Sequence, residues 1–183
     1  ELGAIDSSNN LTPLGKKLAQ FPLDPHIARM IIAAKEENAL REVLIIAAGL
    51  SIVDPRERPF DKQAEADTMH KKFTVTGSDF LGLVKLWDAY QQEWDSLKTQ
   101  NKMRKFCKDH FLSFNRMQEW HDVHQMLSET VKGMKGFVIN SNPASPDAIH
   151  RSLLTGLLSN CAHKTDTGRY RGFRGKELLI FPG

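Results

Sequence analysis

The sequence predicts a mainly α protein, a multi-helix bundle followed by a short β meander. Three observations carry this. Apolar residues recur at helical spacing over most of residues 13–157. Capping residues and prolines cut that stretch into separate helices. After Asn160 the texture changes to short β-prone runs parted by turn residues.

The elements follow in order. Ala4-Ile5-Asp6 ends one element, and Ser7-Ser8-Asn9-Asn10 is a turn. Thr12 is a good N-cap and Pro13 suits the first helical position, which predicts a short helix over 13–20. That helix must stop before Pro22, because a residue preceding proline avoids the α region. It is too short to be stable alone, so it must pack on its neighbours. Asp24 caps a second helix opened by Pro25, with Ile27, Met30, Ile31 and Ala34 on its apolar stripe and a break at Asn38-Ala39. Val43 to Leu50 is apolar almost all round, as in a helix buried inside a bundle.

The run "VDPRERPFDKQ" holds two prolines and reads as a surface loop. Residues 61–73 read as a helix with Asp61, Glu65 and Asp67 early and Lys71 and Lys72 late, which matches the helix dipole. Ser78 caps a long helix striped by Phe80, Leu83, Val84, Trp87 and Tyr90. Asn101 to Lys108 is a short basic helix. Phe111, Phe114, Met117, Trp120, Val123 (or His124) and Leu127 mark a further long helix ending near Gly133 or Gly136. Residues 140–146, "NSNPASP", read as a linker-like joint. Ser145 then caps a helix carrying Ile149, Leu153, Leu154 and Leu157. "CAHKT", "GRYRGF" and "ELLIF" are three strands, separated by Asp166-Thr167-Gly168 and Arg174-Gly175-Lys176. Three strands with open edges make a poor domain alone. The expectation is a fragment, a helical body between two incomplete modules.

Composition is ordinary for a globular chain of 183 residues. The longest apolar run falls far short of the ~20 residues that span a bilayer, so no membrane partner is expected. No secretory leader pattern is present. Two isolated cysteines, Cys107 and Cys161, point to a reducing compartment, the cytoplasm, rather than to a disulfide framework. The net charge of +3 is uneven: residues 1–97 carry −4, residues 98–135 carry +4, residues 136–149 carry −1 and residues 150–183 carry +4. A polyanion would meet the second half, although solvated helix faces explain such charge equally well.

No phosphate-binding loop, nucleophile elbow or zinc-protease motif occurs, so no catalytic residue is assigned. Cys107, His110, His121 and His124 have the residue types and pair spacings of a zinc site. Cys107 and His121 belong to different helices, and ligands 11 residues apart along one axis would sit roughly 16 Å apart. His121 and His124 are more simply flanks of the Trp120 stripe, so no metal ligand is assigned. In "KTQNKMRKFCKDHFLSFNRMQEW" cations alternate with aromatics, the mixture that single-stranded nucleic acid needs. The helical spacing assigns most of the aromatics to the core and leaves the cations as a phosphate-facing rim. Arg104, Lys105 and Arg116 in this segment, with Arg171 and Arg174 in the β meander, are the candidate RNA-phosphate contacts.

These residues together resemble a known family. "LGAID…LTPLGKKLAQFPLDPHIARMIIAA" is similar to the C-terminal region of DEAH-box RNA helicases. The likeness continues in order through "DPRERPFDKQ", "ADTMHKKF", "SDFLGLVKLWDAY", "FCKDHFLSFNRMQEWHDVHQML", "IHRSLLTGLLSN" and "YRGFRGKELLIFPG". "DPRERP" and "RMQEWHDVH" resemble the bacterial branch, as do Arg116, Tyr170, Gly172 and Arg174. In the spliceosomal branch the arginine falls one position earlier, where this chain has Asn115. The resemblance implies the end of a winged-helix domain over 1–23, serving mainly as a brace, and a helicase-associated, ratchet-like bundle over 24–145. It implies the opening helix and strands of an OB-like fold over 146–183. It also implies an accessory role: helping to hold single-stranded RNA against tandem RecA-like motor domains, which bind ATP and magnesium upstream of this chain. No cofactor is expected in the chain itself. The alternative is a docking and regulatory module with little RNA binding of its own.

Overall fold

A computed structural model of the chain describes residues 2–166 and 168–179. Glu1, Thr167 of the first β-turn and residues 180–183, with the end of the third β-prone run, lie outside them. The described residues form α1 (Pro13–Leu18), α2 (Pro25–Glu36), α3 (Leu40–Leu50), α4 (Gln63–His70), α5 (Asp79–Leu97), α6 (Gln100–Asp109), α7 (Phe114–Lys132) and α8 (Pro146–Leu157). Three two-residue strands follow: β1 (His163–Lys164), β2 (Tyr170–Arg171) and β3 (Glu177–Leu178). They form one antiparallel sheet in the order β1-β2-β3. The protein is mainly α, and no described helix is long and apolar enough to cross a membrane.

The expected caps are made. Thr12 Oγ1 accepts from the Gly15 N–H at 3.0 Å, Asp24 Oδ1 from His26 at 2.7 Å, Ser78 Oγ from Leu81 at 3.2 Å and Ser145 Oγ from Ala148 at 3.2 Å. Helix α3 is enclosed by α2, α5, α7 and α8. Its residues from Val43 to Ala48 are all fully buried. Trp120 of α7 docks on it, its indole N–H donating to the Ile45 carbonyl at 2.9 Å. Gly49 makes room for that ring, since a Cβ there would lie 2.9 Å from Trp120 Cζ2. Trp87 of α5 packs on the same ring at 5.4 Å between centroids. Helix α8 makes its most extensive contact with α2. Gly156 permits it, because a Cβ there would meet the His26 carbonyl oxygen at 2.2 Å.

The joint at 140–146 is not linker-like, contrary to the sequence reading. The residue before α3 is Ala39, which offers no side-chain cap. Asn140 supplies one from a distance: its Oδ1 accepts from the Arg41 N–H at 2.8 Å. Its Nδ2 donates to the buried carboxylate of Glu42 at 3.0 Å and to the Asn142 carbonyl at 2.9 Å. Glu42, 3% exposed, also accepts from the Arg41 guanidinium at 3.2 Å and the Ala144 N–H at 3.4 Å. Arg41 continues the chain of contacts to Asp88 on α5. Segment 140–144 is therefore tied to the first turn of α3, and α8 starts from a fixed point.

Several boundaries differ from expectation for local reasons. Helix α1 ends at Leu18, two residues short, in a turn through Ala19 and Gln20. The helix expected over 61–73 is α4 flanked by two 3-10 turns, Phe60–Lys62 and Lys71–Phe73. Helix α7 begins at Phe114, not Phe111, because Phe111 adopts a left-handed φ of 53°.

Asn140→Ala removes the cap of α3 and strips Glu42 of a partner. It should lower stability by about 2–3 kcal/mol. Urea unfolding with an unchanged m-value checks this; a loss below about 0.5 kcal/mol would contradict the assigned role.

Candidate nucleic-acid interface

Helix α6 carries the densest exposed cations of the bundle. Lys98 closes α5 in a left-handed conformation, φ 51°, and turns the chain into α6 within two residues. Met103 and Cys107 face the core, which leaves Lys102, Arg104, Lys105 and Lys108 exposed. The guanidinium of Arg104 lies over the Phe114 ring at 4.3 Å. Lys105 is paired with Asp109 at 2.6 Å, one turn on. Asp109 is held below its ordinary pKa by that hydrogen bond. Among the described residues, Lys98, Lys102, Arg104 and Lys108 have no carboxylate partner.

Arg116, nearby in sequence, is engaged by a loop. Half-buried on α7, it donates to the Asp54 carbonyl at 3.0 Å. It thereby helps hold the Asp54–Arg58 loop against the α6–α7 junction. The loop pairs there as a one-residue bridge, Arg56 with Leu112. Glu57 N–H donates to the Phe111 carbonyl and Ser113 N–H to the Pro55 carbonyl, each at 2.8 Å. His70 Nε2 lies 3.0 Å from the same Phe111 oxygen. The left-handed Phe111 is what aims its carbonyl at the loop. The loop arginines are neutralised: Arg56 pairs with Asp54 at 2.6 Å and Arg58 with Asp67 at 2.8 Å. Burial raises the Asp54 pKa, and the hydrogen bonds from Arg56 outweigh it, so the carboxyl stays below its ordinary value.

In the sheet, register places Arg171 opposite His163 and Glu177. Glu177 is paired with Arg169 at 2.7 Å, not with Arg171. Arg174 lies in the turn after β2 with φ 54°, its guanidinium 5.1 Å from the Phe173 ring centroid. Both Arg171 and Arg174 are exposed. The five sequence candidates thus fall into two groups, Arg104, Lys105 and Arg116 around the α6–α7 junction and Arg171 and Arg174 on the sheet. Sequence reasoning passed over a third basic place. Lys17, Arg29, Lys35 and Arg151 line a hollow of about 230 Å³ between α1, α2 and α8, where Arg151 is already paired with Glu37 at 2.7 Å. Three of its cations come from the net-acidic stretch 1–97 and Arg151 from far along the chain, so only folding gathers them.

The cysteine and histidines are taken up by packing. Cys107 is buried, and burial pushes its thiol up to about 12. His110 Nδ1 lies 2.9 Å from the Phe106 carbonyl. His121 and His124 flank Trp87 at 6.2 and 4.5 Å between centroids. Burial, with the nearby charges of His121, Arg41 and Lys132, pushes His124 down to about 4.

Comparison with known proteins agrees with this architecture. Residues 24–114 match the ratchet-like helicase associated domain (HA2), and residues 1–23 match the winged-helix helicase associated domain (HA2). The chain belongs to the HA2 family of DEAH-box RNA helicases. It is 43% identical over its whole length to the ATP-dependent RNA helicase HrpA of Escherichia coli (strain K12), and covers 14% of that protein. It is 30% identical over 99% of its length to the probable ATP-dependent RNA helicase DHX35 of Homo sapiens, covering 25% of it. Over 81% of its length it is 35% identical to the ATP-dependent DNA/RNA helicase DHX36 of Homo sapiens, covering 14% of it. The HA2 chain therefore spans a quarter or less of these relatives.

The half-buried His124 gives this HA2 region an acid sensitivity of known sign. Its folded pKa, about 4, lies below the ordinary 6.5, so the unfolded chain takes up the proton first. Its contribution is complete above about pH 6.5 and is lost as pH falls toward 4, by at most about 1.4 kcal/mol per unit. His124→Gln should flatten the fall of urea-measured stability across that window; an identical pH profile would contradict the assignment.

Proposed function

We propose that this HA2 region holds single-stranded RNA by its phosphates and presents it to a RecA-like motor borne by the rest of the helicase. The carrying observation is the concentration of cations without carboxylate partners on and beside α6: Lys98, Lys102, Arg104 and Lys108. Elsewhere Arg41, Arg56, Arg58, Arg151 and Arg169 have carboxylate partners, and cations without one among the described residues, such as Lys16, Lys17, Arg29, Lys71, Lys72 and Lys85, lie in the net-acidic first half of the chain. Unneutralised cations are what releases counterions when a polyanion binds. Arg171 and Arg174 extend the contact onto the sheet, which we read as the opening of an OB-like fold. Lys105, tied to Asp109, and Arg116, tied to the loop, contribute less. ATP and magnesium belong to the motor, and the working place of the assembly is the cytoplasm. The names of the relatives, two RNA helicases and a DNA/RNA helicase, support the choice of ligand.

Binding of a single-stranded oligonucleotide should be salt-sensitive. Lys102→Gln and Lys108→Gln should each reduce the slope of log affinity against log salt by about one, and Lys105→Gln by less. Fluorescence anisotropy at several salt concentrations measures this. Absence of binding at about 50 mM salt, or equal slopes for all three variants and the parent, would overturn the reading and favour a docking role.

A further inference from the structure

A hollow of about 220 Å³ opens between α5, α6 and α7, lined by Tyr90, Gln91, Trp94, Gln100, Gln118 and His121, with the Asp122 carboxylate at its exposed side. It is unlike the basic surface beside it, for no lysine or arginine lines it. Tyr90 is 2% exposed, and its hydroxyl has no hydrogen-bond partner among the described residues. No fully buried side-chain oxygen or nitrogen among the described residues lacks a partner. The small exposed part of Tyr90 therefore includes that hydroxyl. Burial pushes the phenol up to about 12, so it is a neutral donor. The Trp94 indole N–H and the side-chain amides of Gln91 and Gln118 also have no partner among the described residues.

A hollow walled by aromatic rings and unpartnered amides, with one carboxylate and no lysine or arginine, does not suit a phosphate, and no group of three metal-ligating side chains gathers there among the described residues. Amides meet the donor and acceptor edges of bases, and aromatic walls meet their faces. The volume lies below the roughly 300–1,000 Å³ of drug-sized ligand sites, which leaves room for one ring system. Gln100, on the rim, opens α6, and Lys98 and Lys102 lie two residues to either side of it. A strand whose phosphates meet these lysines passes the first turn of α6, from which Gln100 lines the hollow.

We infer that the hollow between α5, α6 and α7 takes one unstacked nucleobase, supplied by the single strand held on α6. This rests on the RNA-holding reading above. A free nucleoside offers the same chemistry and is the other source.

The test follows the side-chain amide NMR signals of Gln91 and Gln118 and the indole signal of Trp94. The chain is titrated with a single-stranded oligoribonucleotide, an abasic strand of equal length, and free adenosine or uridine. The base-bearing strand should move these signals and the abasic strand should not. Tyr90→Phe with Gln118→Leu should weaken the base-bearing strand about tenfold and leave the abasic strand unchanged. If both strands bind and the signals stay still, or if the double variant binds both as the parent does, the base site is overturned while RNA holding stands. If neither strand binds, a nucleoside-induced shift keeps the base site and removes its link to a strand. No shift with any probe removes both.

Discussion

A helix that is apolar on every side must be covered on every side, and α3 imposes that constraint on the whole chain. Its buried face has no solvent option, so α2, α5, α7 and α8 are arranged round it. Two contacts make the arrangement specific rather than merely hydrophobic. Trp120 enters a space that exists only because residue 49 is glycine, and its indole N–H fixes the depth. Asn140 and Glu42 fix the first turn, where Ala39 leaves the helix uncapped. A buried carboxylate with three kinds of partner is costly to disturb, because each lost partner exposes an unpaired charge to a low dielectric.

This rigid centre explains how exposed features are placed. Helix α6 contacts α5 and α7, both of which are held on α3. Its core residues Met103 and Cys107 leave only one face for charge, and that face is basic. The loop Asp54–Arg58 then fastens the other end of the α6–α7 junction through backbone pairing and Arg116. The cations of α6 thus stand on a framed surface, and the hollow beside them, which no lysine or arginine lines, lies between α5, α6 and α7.

Much of this was legible in the sequence because it is local. Caps at Thr12, Asp24, Ser78 and Ser145, prolines at first helical positions and the all-apolar run from Val43 to Leu50 each act within a few residues. The mainly α fold followed from them, and the three short strands after Asn160 from turn residues. What was not legible is of another kind. The Lys105–Asp109 pair could be seen from its spacing, but Arg116 meets a carbonyl 62 residues away. The joint at 140–146 looked free because its tether reaches back 98 and 99 residues to α3. Phe111 looked like one more member of an aromatic stripe, since nothing local announces a left-handed phenylalanine. Tyr90, Gln91 and Gln118 carry no motif; only the crossing of three helices gathers them.

The bundle built round α3 is proposed to present α6 to single-stranded RNA. Photo-cross-linking of a 4-thiouridine-substituted strand to the chain at low salt, with the linked peptides mapped by mass spectrometry, tests it most directly. Cross-links should concentrate within residues 90–122, with a second set in the sheet residues 169–178. Cross-links confined to α1, α2 and α8, or none above a non-irradiated control, would contradict it.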